Sequence, residues 1–371
     1  MSTSTSPKLL RVAVVGVGLV GGEFIRQLLA FPAPSPFRLV SLTSSSATLF
    51  DPDGLALTPD SFKQELATSH VRLKPDLAFL VRELAALVRP GQDAVLVDNT
   101  ASEDVARHYP QFLKAGVHVV TPNKKAFSAE LRLYEQILAA SLDSGARFLN
   151  EATVGAGLPV VSTLKDLIAT GDKVLKIEGV FSGTMSYIFN EFSTGKEGGP
   201  SFSSVVAVAR TKGYTEPHPA DDLNGADVAR KLTILSRCIP TLRGGLPAGY
   251  KSVATRSLVP PALASVDSGD EFVARLPEFD ADFDALRAEA AREGKVLRFV
   301  GVVDVESGVV RADLEKYSVT HPFATALGGS DNIIMFHTER YGARPLVVLG
   351  AGAGAAVTAM GVMSDLLKLV Y

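Results

Sequence analysis

The stretch "LRVAVVGVGLVGGEFIRQLLA" constrains the fold of this chain more than any other. A valine-rich run leads into Gly16-Val17-Gly18-Leu19-Val20-Gly21, and residues with helical spacing follow. G-x-G-x-x-G between a strand and a helix is the arrangement in which a turn cradles a pyrophosphate. Gly16 permits the tight turn, Gly18 lets the backbone approach the phosphates, and Gly21 lets the helix pack on the strand. The helix N-terminus adds unpaired amides and a partial positive charge. A purely structural glycine turn is the alternative reading.

Downstream the rhythm repeats. Apolar runs such as "FRLVSL", "DAVLVDNT" and "GVHVVTP" alternate with longer helical stretches, the pattern of a mostly parallel sheet covered on both faces. Ser102 before "EDVARHY" and Ser128 before "AELRLYEQILAASL" are expected helix caps, because a hydroxyl accepts a bond from a first-turn amide. Beyond about residue 150, "DKVLKIEGVFSG" and "VLRFVGVVDVESGVVRADLEKYSV" read as strands joined by hairpins, with Ser307-Gly308 as a turn. The expected fold class is α/β: a Rossmann-type doubly wound parallel sheet over 1–150, then an α+β domain with a mixed or antiparallel sheet over 151–339. A chain of 371 residues is long for one core, and 46% hydrophobic residues are enough for two.

The formal net charge of -3 gives no electrostatic reason to expect nucleic acid or an anionic membrane. Leu346 to Met363 is long and uncharged, but its glycines and alanines read as strand, turn and buried helix rather than a membrane span. Cys238 is the only cysteine. That excludes an intramolecular disulfide and a cysteine-held zinc, and it fits a reducing cytoplasm. The N-terminal "MSTSTSPKLL" reads as polar and flexible, without a signal-peptide core. The histidines, including His70, show no paired ligand spacing and read as structural or surface residues.

The second strand ends in "VSLTSSSAT". No acid stands there to bind the ribose hydroxyls of NAD or repel a 2′-phosphate, so NADP is favoured over NAD, with use of both plausible. Two further strand ends carry polar groups: Asn99 and Thr100 in "VLVDNTAS", and Asn123, Lys124 and Lys125 in "VVTPNKKAF". Ligands bind beyond such ends in doubly wound sheets, although a pair of loop lysines is often only solvated. In "DDLNGADVARK", Asp227 and Lys231 fall one helical turn apart. An exposed pair of this kind contributes about 0.3–0.5 kcal/mol. The alternative is an ammonium that steadies negative charge on a reacting oxygen and exchanges its proton.

Taken together, "TPNKKAF", "EATVGAGLP", "EGVFSGTMSYIFNEFS", "GYTEPHPADDLNGADVARK" and "GAGAGAAVTA" closely resemble homoserine dehydrogenase, particularly the short fungal type. The resemblance covers nearly the whole chain. It implies reversible reduction of L-aspartate 4-semialdehyde to L-homoserine with NADPH or NADH, in threonine and methionine biosynthesis. It implies that Lys231 is the proton donor beside Asp227, that Glu216 binds the substrate, and that Lys125 lies near nicotinamide and substrate. Whether Lys125 is instead the donor stays open. Thr184 is either a substrate neighbour or a turn hydroxyl. Glu151 with the carbonyls of Val154, Ala156 and Leu158 matches a monovalent cation site, usually sodium; a plain turn carboxylate is the alternative. "GAGAGAA" matches a return of the chain over 340–371 to the cofactor domain, with Gly354 close to the cofactor. A homodimer is implied. The chain's limits suggest a form without a fused kinase or regulatory domain. The rivals are another Rossmann reductase, such as a dihydrodipicolinate reductase, and a cofactor-binding redox regulator without catalysis.

Overall fold

The computed structural model describes residues 9–69, 73–196 and 198–371. The polar N-terminus through residue 8, His70, and Glu197 of the loop "STGKEGGPS" lie outside the described residues. The chain divides into two units, one comprising the residues up to Gly157 together with Gly354–Tyr371, the other Leu158–Ala353.

The first unit is built on strands β1 (Leu9–Val15), β2 (Phe37–Thr43), β3 (Thr48–Phe50), β4 (Gln92–Asp98), β5 (His118–Val120) and β6 (Phe148–Leu149), in the order β3-β2-β1-β4-β5-β6. All neighbours pair in parallel except β2 with β3. The order reverses between β1 and β4, so a crevice opens beyond the carboxyl ends of these two strands. Helix Leu19–Leu29 and the C-terminal helix Ala355–Leu367 pack on each other. Val12, Val14, Phe24, Ile25, Leu28, Val97, Val362 and Leu366 belong to one buried cluster. Each such side chain contributes about 1.5–3 kcal/mol by leaving water.

The second unit holds β7 (Val174–Val180), β8 (Ala254–Thr255), β9 (Lys295–Asp304), β10 (Val310–Ser318), β11 (Asp331–Thr338) and β12 (Leu346–Ala351), in the order β12-β11-β7-β9-β10-β8. Its pairs are antiparallel apart from β8 with β10, so the sheet is mixed. The β9–β10 hairpin turns at Ser307-Gly308, where Gly308 takes a φ of 71°. Helix Ala226–Cys238 lies close on this sheet because Gly301 leaves the room: a Cβ there would stand 2.7 Å from Leu232 Cδ2 and 2.9 Å from Phe181 Cδ2.

Local signals fare unevenly. Ser102 caps helix Glu103–Arg107 by accepting from the Val105 amide at 3.3 Å. Ser128 does not cap the next helix. It ends the short helix Lys125–Ser128 with its hydroxyl donating to the Lys124 carbonyl, and the long helix starts only at Leu131. Leu346 to Met363 divides into β12, a glycine turn and a helix, and β12 pairs with β11 in the second sheet, so the return to the first unit begins at Gly354. Among the described residues no helix is long and apolar enough to cross a membrane.

Candidate active site

The glycine turn sits where β1 hands over to helix Leu19–Leu29. Gly16 has a φ of +91°, and a Cβ on it would strike Thr100 Cγ2 at 2.7 Å. A Cβ on Gly21 would stand 1.9 Å from the Gly16 carbonyl oxygen. Gly18 differs: it occupies the N-cap without a side-chain cap bond, and a Cβ there would meet no atom within 4 Å. Two glycines thus serve close packing and one leaves open space beside the first-turn amides. Leu19 is 87% exposed, and Val17 and Val20 are half-buried.

A cavity of about 850 Å³ opens beside this turn, lined among others by Gly16, Ser44, Ser45, Lys74, Thr100 and Ser102. Asn99 adds a further signature, since both polar atoms of its side-chain amide are buried with no hydrogen-bond partner among the described residues. An orphaned buried amide costs about 1–3 kcal/mol per group. Open room, free helix amides and an unsatisfied amide suit a dinucleotide. Lys125 is half-buried at the first position of its short helix, where its amide donates to Asn123 Oδ1 at 3.0 Å.

In the second unit the acid and the amine of "ADVARK" meet. Lys231 is 7% exposed, and its Nζ lies 2.7 Å from Asp227 Oδ2 and donates to the Phe181 carbonyl oxygen at 2.7 Å. The same carbonyl accepts from Asn332 Nδ2 at 3.0 Å. Asn332 is itself held against the C-terminal glycine run, for a Cβ on Gly352 would come within 2.1 Å of its amide. The amine is therefore aimed by tertiary contacts, which an exposed surface pair lacks.

Beside it, Thr184 stands in the first turn of helix Gly183–Phe192, its hydroxyl 2.6 Å from the Tyr214 carbonyl oxygen and 2.9 Å from Asp222 Oδ1. The Glu216 amide donates to Asp222 Oδ2 at 2.8 Å, while Glu216 as a residue is exposed. Burial pushes the Asp222 carboxyl up to about 6, and the nearby charges of Glu216 and Asp227 add to the rise against hydrogen bonds from the Glu216 amide and Thr184. Sequence reasoning passed over Asp222, one acid in an acidic run. It passed over Lys74 as well, which the fold brings to the same cavity as Ser44 and Ser45.

Of the cation set, Glu151 is buried and opens a single 3-10 turn, and its amide donates to Asp365 Oδ2 at 2.7 Å. Lys368 Nζ lies 2.9 Å from Asp365 Oδ1 and 3.5 Å from Glu151 Oε2. Val154 is buried, and Ala156 has a φ of 56°, the only non-glycine positive value among the described residues. The Leu158 carbonyl accepts from the Val160 amide. One carboxylate with backbone oxygens is a donor set for a hard group I cation. No cluster of three or more His, Cys, Asp or Glu suited to a metal occurs among the described residues. Gly354, with a φ of +117°, caps helix Ala355–Leu367, and a Cβ on it would meet nothing within 4 Å.

Residues 16–151 match the family model described as the homoserine dehydrogenase NAD binding domain, and residues 159–367 match the model described as homoserine dehydrogenase. The homoserine dehydrogenase of Schizosaccharomyces pombe is 48% identical, with 99% of this chain and 97% of that protein covered. That of Saccharomyces cerevisiae is 47% identical over 98% of this chain and 99% of its own. Among solved structures, a Candida auris protein of unknown function shares 43% identity with a TM-score of 0.88, covering 97% of both chains. A hyperthermophilic archaeal homoserine dehydrogenase in complex with NADPH has a TM-score of 0.67 at 21% identity, covering 96% of both chains, a likeness of fold.

Proposed function

The chain belongs to the homoserine dehydrogenase family and is an NAD(P)-dependent oxidoreductase; on that premise we propose that Lys231 is its proton donor in the reversible reduction of L-aspartate 4-semialdehyde to L-homoserine. The buried amine of Lys231, 2.7 Å from both Asp227 Oδ2 and the Phe181 carbonyl oxygen, carries this reading. The reduced nicotinamide supplies the hydride when bound. As that hydride reaches the aldehyde carbon, negative charge gathers on oxygen, and an ammonium held in a partly dry site stabilises it and supplies the proton. In the oxidative direction the same amine, neutral, accepts the proton. Asp227 orients the lysine, and Glu216, with Thr184 and Asp222 behind it, binds the amino-acid end of the substrate.

The cofactor is held by the turn Gly16–Gly21, by Asn99 and Thr100, by Lys125 and by the backbone at Gly354. The absence of an acid after β2 and the presence of Ser44, Ser45 and Lys74 around one cavity support NADP over NAD. A monovalent cation, sodium in our reading, is held by Glu151 and the carbonyls of Val154, Ala156 and Leu158, with the left-handed backbone at Ala156 as its local support. We assign the working protein to a cytoplasmic homodimer. The lone Cys238 suits that compartment, and the exposed Val347 and Leu349 on edge strand β12 offer apolar surface to a second copy. Lys231→Ala tests the central assignment: turnover should fall by roughly 10²–10⁴-fold while cofactor binding persists. Near-normal turnover with cofactor still bound would remove it.

A further inference from the structure

Behind the cofactor-side loops lies a buried polar group to which the proposed proton transfer assigns no direct part. Asp98, the last residue of β4, is fully buried, and its partners come from both loops at once. Its Oδ1 accepts from the Thr100 amide at 2.8 Å. Its Oδ2 accepts from the Tyr109 hydroxyl at 2.5 Å and from Asn123 Nδ2 at 3.0 Å. The other end of the Asn123 amide accepts from the Lys125 backbone N–H at 3.0 Å. Thr121 Oγ1 closes the ring, donating to the Asp98 carbonyl oxygen at 2.7 Å and accepting from the Asn123 backbone N–H at 2.9 Å.

We propose that Asp98 is a positioning residue for the reaction: with Tyr109 and Asn123 it forms a single clamp that sets the Asn99–Thr100 loop and the Asn123–Lys125 loop in register with each other. The inference rests on the reading of Thr100 and Lys125 as cofactor-side residues. Its physical basis is that Asp98, when ionised, is the one member of the ring with no proton to donate. A carboxylate accepts from every direction, and it faces three donors here: an amide N–H, a carboxamide NH₂ and a phenol. An isosteric carboxamide points its own NH₂ at one of those donors whichever way it is flipped, so one loop must give way. Burial opposes the charge, pushing the Asp98 carboxyl up, while the bonds from Tyr109, Asn123 and Thr100 hold it down. The Tyr109 phenol is pushed well above its ordinary range by burial and by Asp98, so it stays a donor.

The test is steady-state kinetics and NADPH titration of Asp98→Asn, Tyr109→Phe, Asn123→Ala and Lys125→Ala, each checked by thermal melting. Asp98→Asn should raise the cofactor KM and lower kcat, with kcat/KM down at least about tenfold in fully folded enzyme, since displacement of roughly 1 Å already costs that and more. Tyr109→Phe, which removes one donor and leaves the carboxylate, should show a smaller loss in the same direction. Melting points that drop while kinetic constants stay within about twofold of the parent would make Asp98 merely structural and overturn the proposal. If Asp98→Asn does not fold, Tyr109→Phe and Asn123→Ala decide by the same criterion. Lys125→Ala separates the two levels: unchanged kinetics there sinks the reading of Lys125, whereas a damaged Lys125→Ala beside an unharmed Asp98→Asn sinks the clamp alone.

Discussion

Asp222 is a single side chain at which pH is expected to act on both stability and function. Its carboxyl rises from the ordinary 3.8 to about 6, first because it is buried and then because the Glu216 and Asp227 carboxylates stand near. An acid with a raised folded-state value keeps a proton that the unfolded chain has already released. Its contribution to stability therefore falls as pH rises from 3.8 through about 6, the reverse of a salt-bridged carboxylate. Function runs the other way. The ionised carboxylate accepts more strongly from the Glu216 amide than the neutral acid does, so kcat/KM for the substrate should climb as pH passes about 6. Asp222→Asn should lose that step and keep the low-pH value throughout; an identical acid limb in the variant would show that another group titrates. At the cation set, replacing sodium and potassium with a bulky organic cation should lower both melting temperature and turnover. No change in either would return Glu151 to the role of a turn carboxylate held by Asp365 and Lys368.

At the scale of elements, the glycine turn should separate packing from binding. Gly21→Ala drives a Cβ into the Gly16 carbonyl oxygen and should cost about 1–3 kcal/mol or more, seen as a melting point lower by several degrees. Gly18→Ala meets no atom of the fold and should melt like the parent. Its cofactor KM should nonetheless rise by about tenfold, roughly 1.4 kcal/mol of lost binding. Equal effects of both substitutions on melting would contradict this division. The G-x-G-x-x-G spacing and the valine-rich strands were legible in the sequence because they depend on neighbours within a turn or a strand. So was the Asp227–Lys231 pair, which needs only helical spacing. What aims the amine was not legible: the Phe181 carbonyl lies 50 positions away, and Asn332 reaches that carbonyl from β11 across the sheet. Ser128 misled for a related reason. Its hydroxyl is spent on the turn before it, where a short helix at Lys125 replaces the expected loop. Asp222 and Lys74 were hidden because burial and a shared cavity are tertiary facts.

For the molecule as a whole, family models covering residues 16–151 and 159–367 account for nearly all of the chain, which disfavours both a different reductase and a cofactor sensor without catalysis. The proposed homodimer predicts twice the chain's mass in light scattering at micromolar concentration, and charged residues at Val347 and Leu349 should shift it toward monomer. A monomeric mass for the unaltered protein would contradict that assembly. The proposed chemistry turns on which amine moves the proton, Lys125 of the first unit or Lys231 of the second. The most direct measurement is the pH dependence of turnover for the unaltered enzyme, Lys231→Ala and Lys125→Ala. In the reductive direction the alkaline limb, distinct from the step at about 6 given to Asp222, should vanish only when Lys231 is removed, while Lys125→Ala keeps it at reduced rate. An alkaline limb that survives loss of Lys231 and disappears with Lys125 would contradict the assignment of Lys231 as proton donor.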